Sequence, residues 1–192
     1  MSYSFMEMRS EIMDTAEKVP QLAMERSLLE DLPEIRLPEG FSIRSFQNGW
    51  DKEWEAIIGA AFQTTISFHD TIALCKQYKP ANVLFICDGE TPVGTATAWC
   101  RDDLPEGTGY LHMVGVLPGY GGKGLGLAIS LAVLHNLKQS GYTKVFLHTD
   151  DFRLPAIKQY LRLGFKPVYN SEGAAERWQA VRNILHKTDD FR

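Results

Sequence analysis

The sequence has no long uninterrupted hydrophobic run and little cysteine. No apolar stretch approaches the roughly 18 residues of a membrane-spanning helix, and the early acidic residues do not fit a secretory signal peptide. The three cysteines, Cys75, Cys87 and Cys100, are odd in number and form no C-x-x-C motif. These absences predict a cytoplasmic protein with no membrane association.

The sequence also lacks a basic excess. Lys and Arg number 20 against 24 Asp and Glu, which gives a formal net charge of -4. Such a balance provides no general attraction for nucleic acid, so no polynucleotide partner is expected. The histidines show no metal-ligand spacing, and no metal is expected; they are His69, His112, His135, His148 and His186.

The chain is long enough for one well-buried core with an appendage, because it has 192 residues of which 44% are hydrophobic. Up to about residue 32, apolar residues recur at helical spacing among charges, as in Ile12, Ala16 and Val19 and in Leu22, Met24, Leu28 and Leu29. We therefore expect a helical N-terminal extension over residues 1–38, a main domain over 39–170 and a C-terminal helix within 171–192. The extension packs on the domain or on a partner, with a homodimer as one alternative.

The first half of the main domain indicates antiparallel strands with helices between them. Residues 41–46 alternate apolar and polar positions, residues 82–88 and 93–99 flank a turn, and residues 110–116 form a further apolar run. Helices are expected over residues 51–62, with Asp51 as N-cap, and over residues 69–78.

The second half indicates alternating strands and helices. The pattern predicts a helix over residues 123–139, a strand over 144–148, a helix ending at Leu163, a strand over 165–168 and a helix over 174–185. Together the halves predict an α/β (α+β) fold, in which helices flank a mixed, mostly antiparallel twisted sheet.

Residues 114–126, VGVLPGYGGKGLG, form a glycine-rich loop between a strand and a helix. Residues 119–124 satisfy G-x-G-x-x-G, but hairpins precede them and Asp150 lies 26 residues after Gly124, so a dinucleotide site is disfavoured. A nucleotide P-loop is also disfavoured, because Gly124 follows Lys123 where Ser or Thr would bind magnesium.

A third interpretation of this loop is an anion cradle. The backbone N–H groups of residues 121–126 would surround the positive end of a helix dipole, and Lys123 would add a cation. A pyrophosphate fits that geometry without a metal. A flexible turn with no ligand is the simpler alternative.

Two segments, GGKGLG at residues 121–126 and AIKQYLRLGF at residues 156–165, match paired motifs of one family. In them the chain resembles the GNAT superfamily of acyl-CoA-dependent N-acyltransferases, over roughly residues 41–168. The family's pyrophosphate signature, Arg or Gln-x-x-Gly-x-Gly or Ala, falls on residues 121–126, with Gly121 in place of Arg or Gln. Its second signature, Ala-x-x-x-Tyr-x-x-x-Gly-Phe, matches residues 156–165, and Arg153 stands where Asn is common.

The resemblance implies acetyl-CoA as co-substrate. Its binding residues would be the main chain of Val114 and Val116, the loop residues Gly121, Gly122, Lys123, Gly124, Leu125 and Gly126, and the side chain of Arg153. Tyr160 matches the family's tyrosine that gives a proton to the coenzyme A sulfur.

The general base is less well marked. His112 is the only titratable side chain between Tyr110 and Val116, and period-two alternation would place it on the face of Val114 and Val116. Residues 111–116 resemble a segment of arylalkylamine N-acetyltransferases in which histidine helps to remove the amine proton. The ordinary pKa of histidine, near 6.5, suits the removal of an amine proton. Weaker candidates are Asp102, Asp103, Glu106 and His148.

The sequence thus predicts acetyl transfer to a primary amine by direct attack in a ternary complex. The acceptor would be a small molecule or a peptide, bound between the helices of residues 51–78 and the loop of residues 101–109. The alternative is a catalytically weak or inactive coenzyme A-binding regulatory module of the same fold.

Overall fold

The structure, a computed structural model, describes residues 19–189, so the predicted helical positions Ile12 and Ala16 lie outside the described residues. Within that range the strands are β1 (Leu22–Arg26), β2 (Phe41–Ser45), β3 (Val83–Asp88), β4 (Thr91–Trp99), β5 (Thr108–Val116), β6 (Lys144–Thr149) and β7 (Lys166–Val168). The α-helices are α1 (Asp51–Phe62), α2 (Leu125–Gln139), α3 (Leu154–Arg162) and α4 (Ala174–Asp189). A π-helical turn spans His69–Ala73, and 3₁₀ turns span Pro80–Asn82 and Pro118–Tyr120.

The seven described strands form one sheet in the order β2-β3-β4-β5-β6-β1-β7. Every neighbouring pair is antiparallel except β5 and β6, which run parallel. The predicted mixed, mostly antiparallel sheet flanked by helices is therefore confirmed.

Apolar side chains cover both faces of the sheet. On one, the α2 face, Leu84, Leu111 and Val145 pack with residues of α2, α3 and α4. On the other, the α1 face, Phe85 and Phe146 pack with α1 and the π-helical turn. No helix within residues 19–189 is both long and apolar enough to cross a bilayer.

The helix expected over Leu22–Leu29 is wrong, because residues 22–26 form β1. This strand lies inside the sheet between β6 and β7, with Leu22 and Met24 buried on the α2 face and Ala23 on the α1 face. Apolar contact on both faces removes the alternation that marks a half-buried strand, and chance spacing then imitates a helix. The division at residue 38 stays a prediction.

Two further local predictions need correction. The helix expected over residues 69–78 is only the five-residue turn His69–Ala73, and the extended backbone of Lys79 before Pro80 redirects the chain into β3. Trp50, not Asp51, is the N-cap of α1, and Asp51 lies in its first turn.

Candidate active site

The site lies where β5 and β6 separate. These parallel strands pair only over residues 108–110 and 144–146, although β5 continues to Val116 and β6 to Thr149. A cavity of about 130 Å³, here called the reaction cavity, occupies the gap. The predicted site residues Tyr160, His112, Val114 and Arg153 all line it, whereas Val116 and the glycine loop do not.

A β-bulge at Met113 interrupts the alternation of β5. The register between β4 and β5 shifts between Thr95 and Thr97, so Met113 and Val114 together oppose Ala96. Met113 has a φ of 48°, a left-handed conformation that is uncommon outside glycine. The bulge moves every later side chain of β5 to the opposite face.

This bulge overturns one prediction. His112 does not share a face with Val114 and Val116, because those two valines pack on the α2 face whereas the His112 ring lies 5.6 Å from the ring centroids of both Trp99 and Tyr110 on the α1 face. Simple period-two counting fails across an inserted residue.

The glycine loop presents an uncapped helix end. Gly122 and Gly124 have φ values of 78° and 76°, and a Cβ at either position would meet no atom within 4 Å. α2 begins at Leu125, and no side chain caps this end. The amides of its first turn therefore have no intrahelical acceptor, and the loop residues before them, Gly122 to Gly124, are exposed. Such a helix end favours an anion.

Gly121 does not belong to that set of available amides. Its N–H donates to the Pro118 carbonyl at 3.2 Å, which corrects the expected run of residues 121–126. Its φ of -61° suits any residue, and a Cβ there would lie 3.4 Å from the same carbonyl oxygen. The position therefore has no conformational need for glycine.

Lys123 is held beside the loop by two aromatic rings. Its Nζ lies 5.3 Å from the ring centroid of Tyr120 and 5.6 Å from that of Phe41, and the two rings pack edge to face. These cation–π contacts keep a positive charge near the N-terminus of α2.

Tyr160 projects from α3 into the reaction cavity and is 7% exposed. Burial raises its pKa above the usual phenol value, an effect that the positive charge of Arg153 partly opposes. The hydroxyl is therefore protonated at neutral pH. The preceding residue, Gln159, packs over Gly126, where a Cβ would come within 2.6 Å of its Oε1, so α3 and the start of α2 are in direct contact.

Arg153 joins α1 to α3 at the rim of the cavity. Its Nε donates to Oδ2 of Asp150 at 2.8 Å, and Nη1 donates to the Ala61 carbonyl at 3.4 Å. Its guanidinium carbon lies 3.9 Å from the ring centroid of Phe62. Burial would raise the pKa of Asp150, but hydrogen bonds from Gln21 and Arg153 outweigh it and lower that pKa.

His112 is neutral at physiological pH. Burial, and secondarily the positive charge of Arg101, lower its pKa to about 4. The ordinary value near 6.5 assumed from the sequence does not hold in this environment.

A second histidine lies at the same cavity. Nδ1 of His148 is 2.8 Å from the Tyr110 hydroxyl. Burial, and then Arg101, lower the His148 pKa, while the Asp103 carboxylate opposes the shift. Sequence reasoning ranked His148 and Asp103 below His112 and missed Tyr110. The sequence signal that could have brought Tyr110 and His148 together was the adjacency of their two parallel strands, because the carboxyl ends of parallel strands meet at one edge of the sheet.

Arg101 approaches the Tyr110–His148 pair from the loop after β4. Two hydrogen bonds, at 2.9 and 2.7 Å, fix its guanidinium to the Asp103 carboxylate, and its central carbon lies 5.2 Å from the Tyr110 ring centroid. The other acidic loop candidates are exposed: Asp102 pairs with Lys76, and Glu106 faces solvent.

A larger pocket of about 390 Å³, here called the vestibule, lies beside the reaction cavity. Its lining is Pro20, Gln21, Arg101, His148, Asn170 and Ser171. Gln21 and His148 line both spaces. The acceptor was expected between the helices of residues 51–78 and the loop of residues 101–109. Of these elements, α1 lines the cavity with Phe62, and the loop lines the vestibule with Arg101.

Comparison with known proteins bears on this arrangement. The family model described as "Acetyltransferase (GNAT) family" matches residues 42–165, which include the glycine loop and Tyr160. Two similar solved structures are GCN5-related N-acetyltransferases. The one from Sphaerobacter thermophilus has a TM-score of 0.62 and 23% identity, covering 83% of this chain and 53% of that one. The one from Kribbella flavida has a TM-score of 0.54 and 23% identity, covering 78% and 55%.

The curated relatives include mycothiol acetyltransferases. The protein of Pseudarthrobacter chlorophenolicus is 36% identical over 147 residues, which are 70% of this chain and 45% of the relative. That of Kytococcus sedentarius is 34% identical over 161 residues, which are 77% and 53%. This chain thus spans about half the length of the curated relatives that it matches.

Proposed function

Because the chain belongs to the GNAT family of acetyltransferases, we propose that it transfers an acetyl group from acetyl-CoA to a primary amine. The observation that carries the proposal is the contact between two parts of the site. The glycine loop at the N-terminus of α2 packs directly on α3, the helix that carries Tyr160 into the reaction cavity.

The residues at the loop fit the donor's pyrophosphate. Gly122 and Gly124 leave the backbone uncovered, the first turn of α2 offers N–H donors, and Lys123 supplies a cation. Gly121 contributes neither a side chain nor an available amide. The proposed contacts therefore belong to Gly122, Lys123, Gly124, Leu125 and Gly126.

The separated edge of β5 fits the pantetheine arm. Beyond Tyr110 this edge no longer pairs with β6, so main-chain groups near Val114 and Val116 are available to the amides of a ligand. We place the thioester end near Tyr160 in the reaction cavity. Arg153, at the rim, is proposed as a further contact to the donor.

The proposed chemistry is direct attack in a ternary complex. The neutral amine forms a C–N bond to the thioester carbonyl carbon, the C–S bond breaks, and Tyr160 gives its proton to the departing thiolate. Burial keeps the phenol protonated until the thiolate forms, and the same raised pKa makes it a weaker acid, so its position beside the sulfur must carry the role. His112 stays a candidate to accept the amine proton, since it is neutral in the cavity wall.

The acceptor proposed is a small-molecule amine. The relatives are named for mycothiol, a small molecule. The vestibule has a polar lining, and its volume of about 390 Å³ is that of a small-molecule site. A coenzyme A-binding module without efficient chemistry is the second candidate, favoured by the low pKa of His112 and by the missing side chain at Gly121.

Two assays on the same chain test the proposal. Calorimetry measures coenzyme A binding, and thiol release from acetyl-CoA is followed with glucosamine, spermidine, tryptamine and the dipeptide Ala-Gly. We expect binding together with amine-dependent thiol release. Binding without release on all four amines would favour the module, and absence of binding would contradict both candidates.

A further inference from the structure

We propose that Tyr110 and His148 form a relay that takes the proton from the acceptor amine. This inference rests on the proposed acetyl transfer and assigns a role to a pair of residues that the family motifs do not include. It is carried by the contact between the two side chains and by their position in the site.

The contact joins β5 and β6 at the point where the pairing of these two strands ends. Tyr110 is the last residue of β5 paired with β6, and its partner Phe146 lies two residues before His148. The parallel register brings both side chains to the α1 face, where the Tyr110 hydroxyl lies 2.8 Å from Nδ1 of His148. That distance is typical of a hydrogen bond, so a proton can pass along it.

His148 and His112 differ in the spaces that they line. His148 lines both the reaction cavity and the vestibule, whereas His112 lines only the cavity. An amine that enters through the vestibule meets His148 at the junction. The same junction gives the imidazole an exit for a proton to solvent.

The charges around the pair favour a neutral imidazole before the reaction. The facing titratable and charged groups are Arg101 and Asp103 of the loop after β4, His112 of β5, Asp150 just after β6, and Arg153 and Tyr160 at α3. Arg101 disfavours the imidazolium form and Asp103 favours it. A neutral Nδ1 can then accept the hydrogen of the Tyr110 hydroxyl.

The relay carries one proton from the amine to solvent. As the amine nitrogen bonds to the carbonyl carbon, its proton passes to Oη of Tyr110 while the hydroxyl proton of Tyr110 passes to Nδ1 of His148. The C–S bond breaks, and the thiolate takes a proton from Tyr160. The His148 imidazolium then releases a proton to solvent, and Tyr160 regains one. The products are the amide and the thiol.

The test compares Tyr110→Phe, His148→Gln and the double variant, with His135→Gln as a control outside the site. Each is assayed for coenzyme A affinity and for the pH profile of kcat/KM with the amine that the parent uses best. We expect unchanged coenzyme A affinity and a fall of about 10²- to 10⁴-fold in each single variant. The double variant should be no slower than the slower single one, because the residues act as a unit.

The part of the low-pH decline that reports imidazole protonation should disappear in His148→Gln, whereas the part that comes from protonation of the amine itself remains in every variant. A parent-like rate in either single variant would overturn the relay alone. It would also be overturned if His112→Gln removed the imidazole part of the low-pH decline while His148→Gln retained it. No amine-dependent turnover by the parent would overturn both the relay and the proposed acetyl transfer.

Discussion

The guanidinium of Arg153 lies 3.9 Å from the ring centroid of Phe62 and so joins the start of α3 to the end of α1. The same guanidinium donates to Asp150 and to the Ala61 carbonyl. Two of its five N–H donors are therefore engaged within the protein, and a bound acetyl-CoA would share this cation with them. The contact makes Arg153 a structural tie as well as a proposed ligand.

Arg153→Leu should lower the free energy of unfolding by about 1 to 2 kcal/mol, because it removes a cation–π contact and a partly buried ion pair. Denaturant unfolding measures this change. The control is Arg44→Leu, which removes an exposed pair with Glu90 and should cost much less, because solvent screens that pair. Equal losses in the two variants would argue against the tie.

Gly122→Ala and Gly124→Ala should raise the KM for acetyl-CoA about tenfold or more, because a methyl group would cover the amides of the cradle. Gly141→Ala is a matched control at the other end of α2. Its φ is 87°, and a Cβ there also meets nothing within 4 Å. All three should lose similar stability from backbone strain. A KM that rises equally in all three would remove the loop from donor binding.

Tyr160→Phe should reduce kcat by about 10²- to 10⁴-fold with little change in coenzyme A affinity, because only the proton donor is lost. Since burial raises the Tyr160 pKa, the parent should show no loss of rate from phenol ionisation up to about pH 10. Steady-state kinetics across pH check both points. Tyr169→Phe, at an exposed tyrosine, serves as control. Full activity in Tyr160→Phe would exclude the assigned role.

Arg101→Gln and Asp103→Asn should move the pH profile in opposite directions. Arg101 lowers the His148 pKa and Asp103 raises it, so the first change raises that pKa and the second lowers it. Activity requires neutral His148 and is lost as pH falls through its pKa. The low-pH decline should therefore shift upward in Arg101→Gln and downward in Asp103→Asn. Shifts in the same direction would contradict this electrostatic assignment.

Met24→Ala should lower the free energy of unfolding by about 2 to 4 kcal/mol, because Met24 is fully buried in the interior strand β1. Leu28→Ala is the control, since Leu28 is 68% exposed and should change stability by less than about 0.5 kcal/mol. Denaturant unfolding distinguishes the two. A surface helix over residues 22–29 would instead make both substitutions mild.

The sequence predicted most strands and helices because glycine, proline and alternation mark their ends. β2 and the hairpin of β3 and β4 follow period-two patterns, and α2 follows a glycine-rich loop. β1 was missed because burial on both faces removes that pattern. The bulge at Met113 was missed because a single inserted residue in a strand has no reliable composition signal.

The sequence predicted those parts of the candidate site that lie within one contiguous motif. Tyr160 and the glycine loop each belong to a contiguous signature, so their positions follow from the sequence. The pairing of Tyr110 with His148 joins residues 38 positions apart and depends on the register of β5 against β6. The pKa of His112 likewise depends on its burial and on Arg101, which no local pattern contains.

The interior position of β1 sets an order for folding during synthesis. Leu22 pairs with Thr149, so a segment of more than a hundred residues must emerge before β1 meets its first neighbour, and β7 comes later still. Strands so far apart in the sequence pair slowly, because the entropy of the long intervening loop is lost before the contacts form. Until then both edges of β1 remain without a partner and exposed to aggregation. The wall that holds His148 is consequently among the last parts of the sheet to become stable.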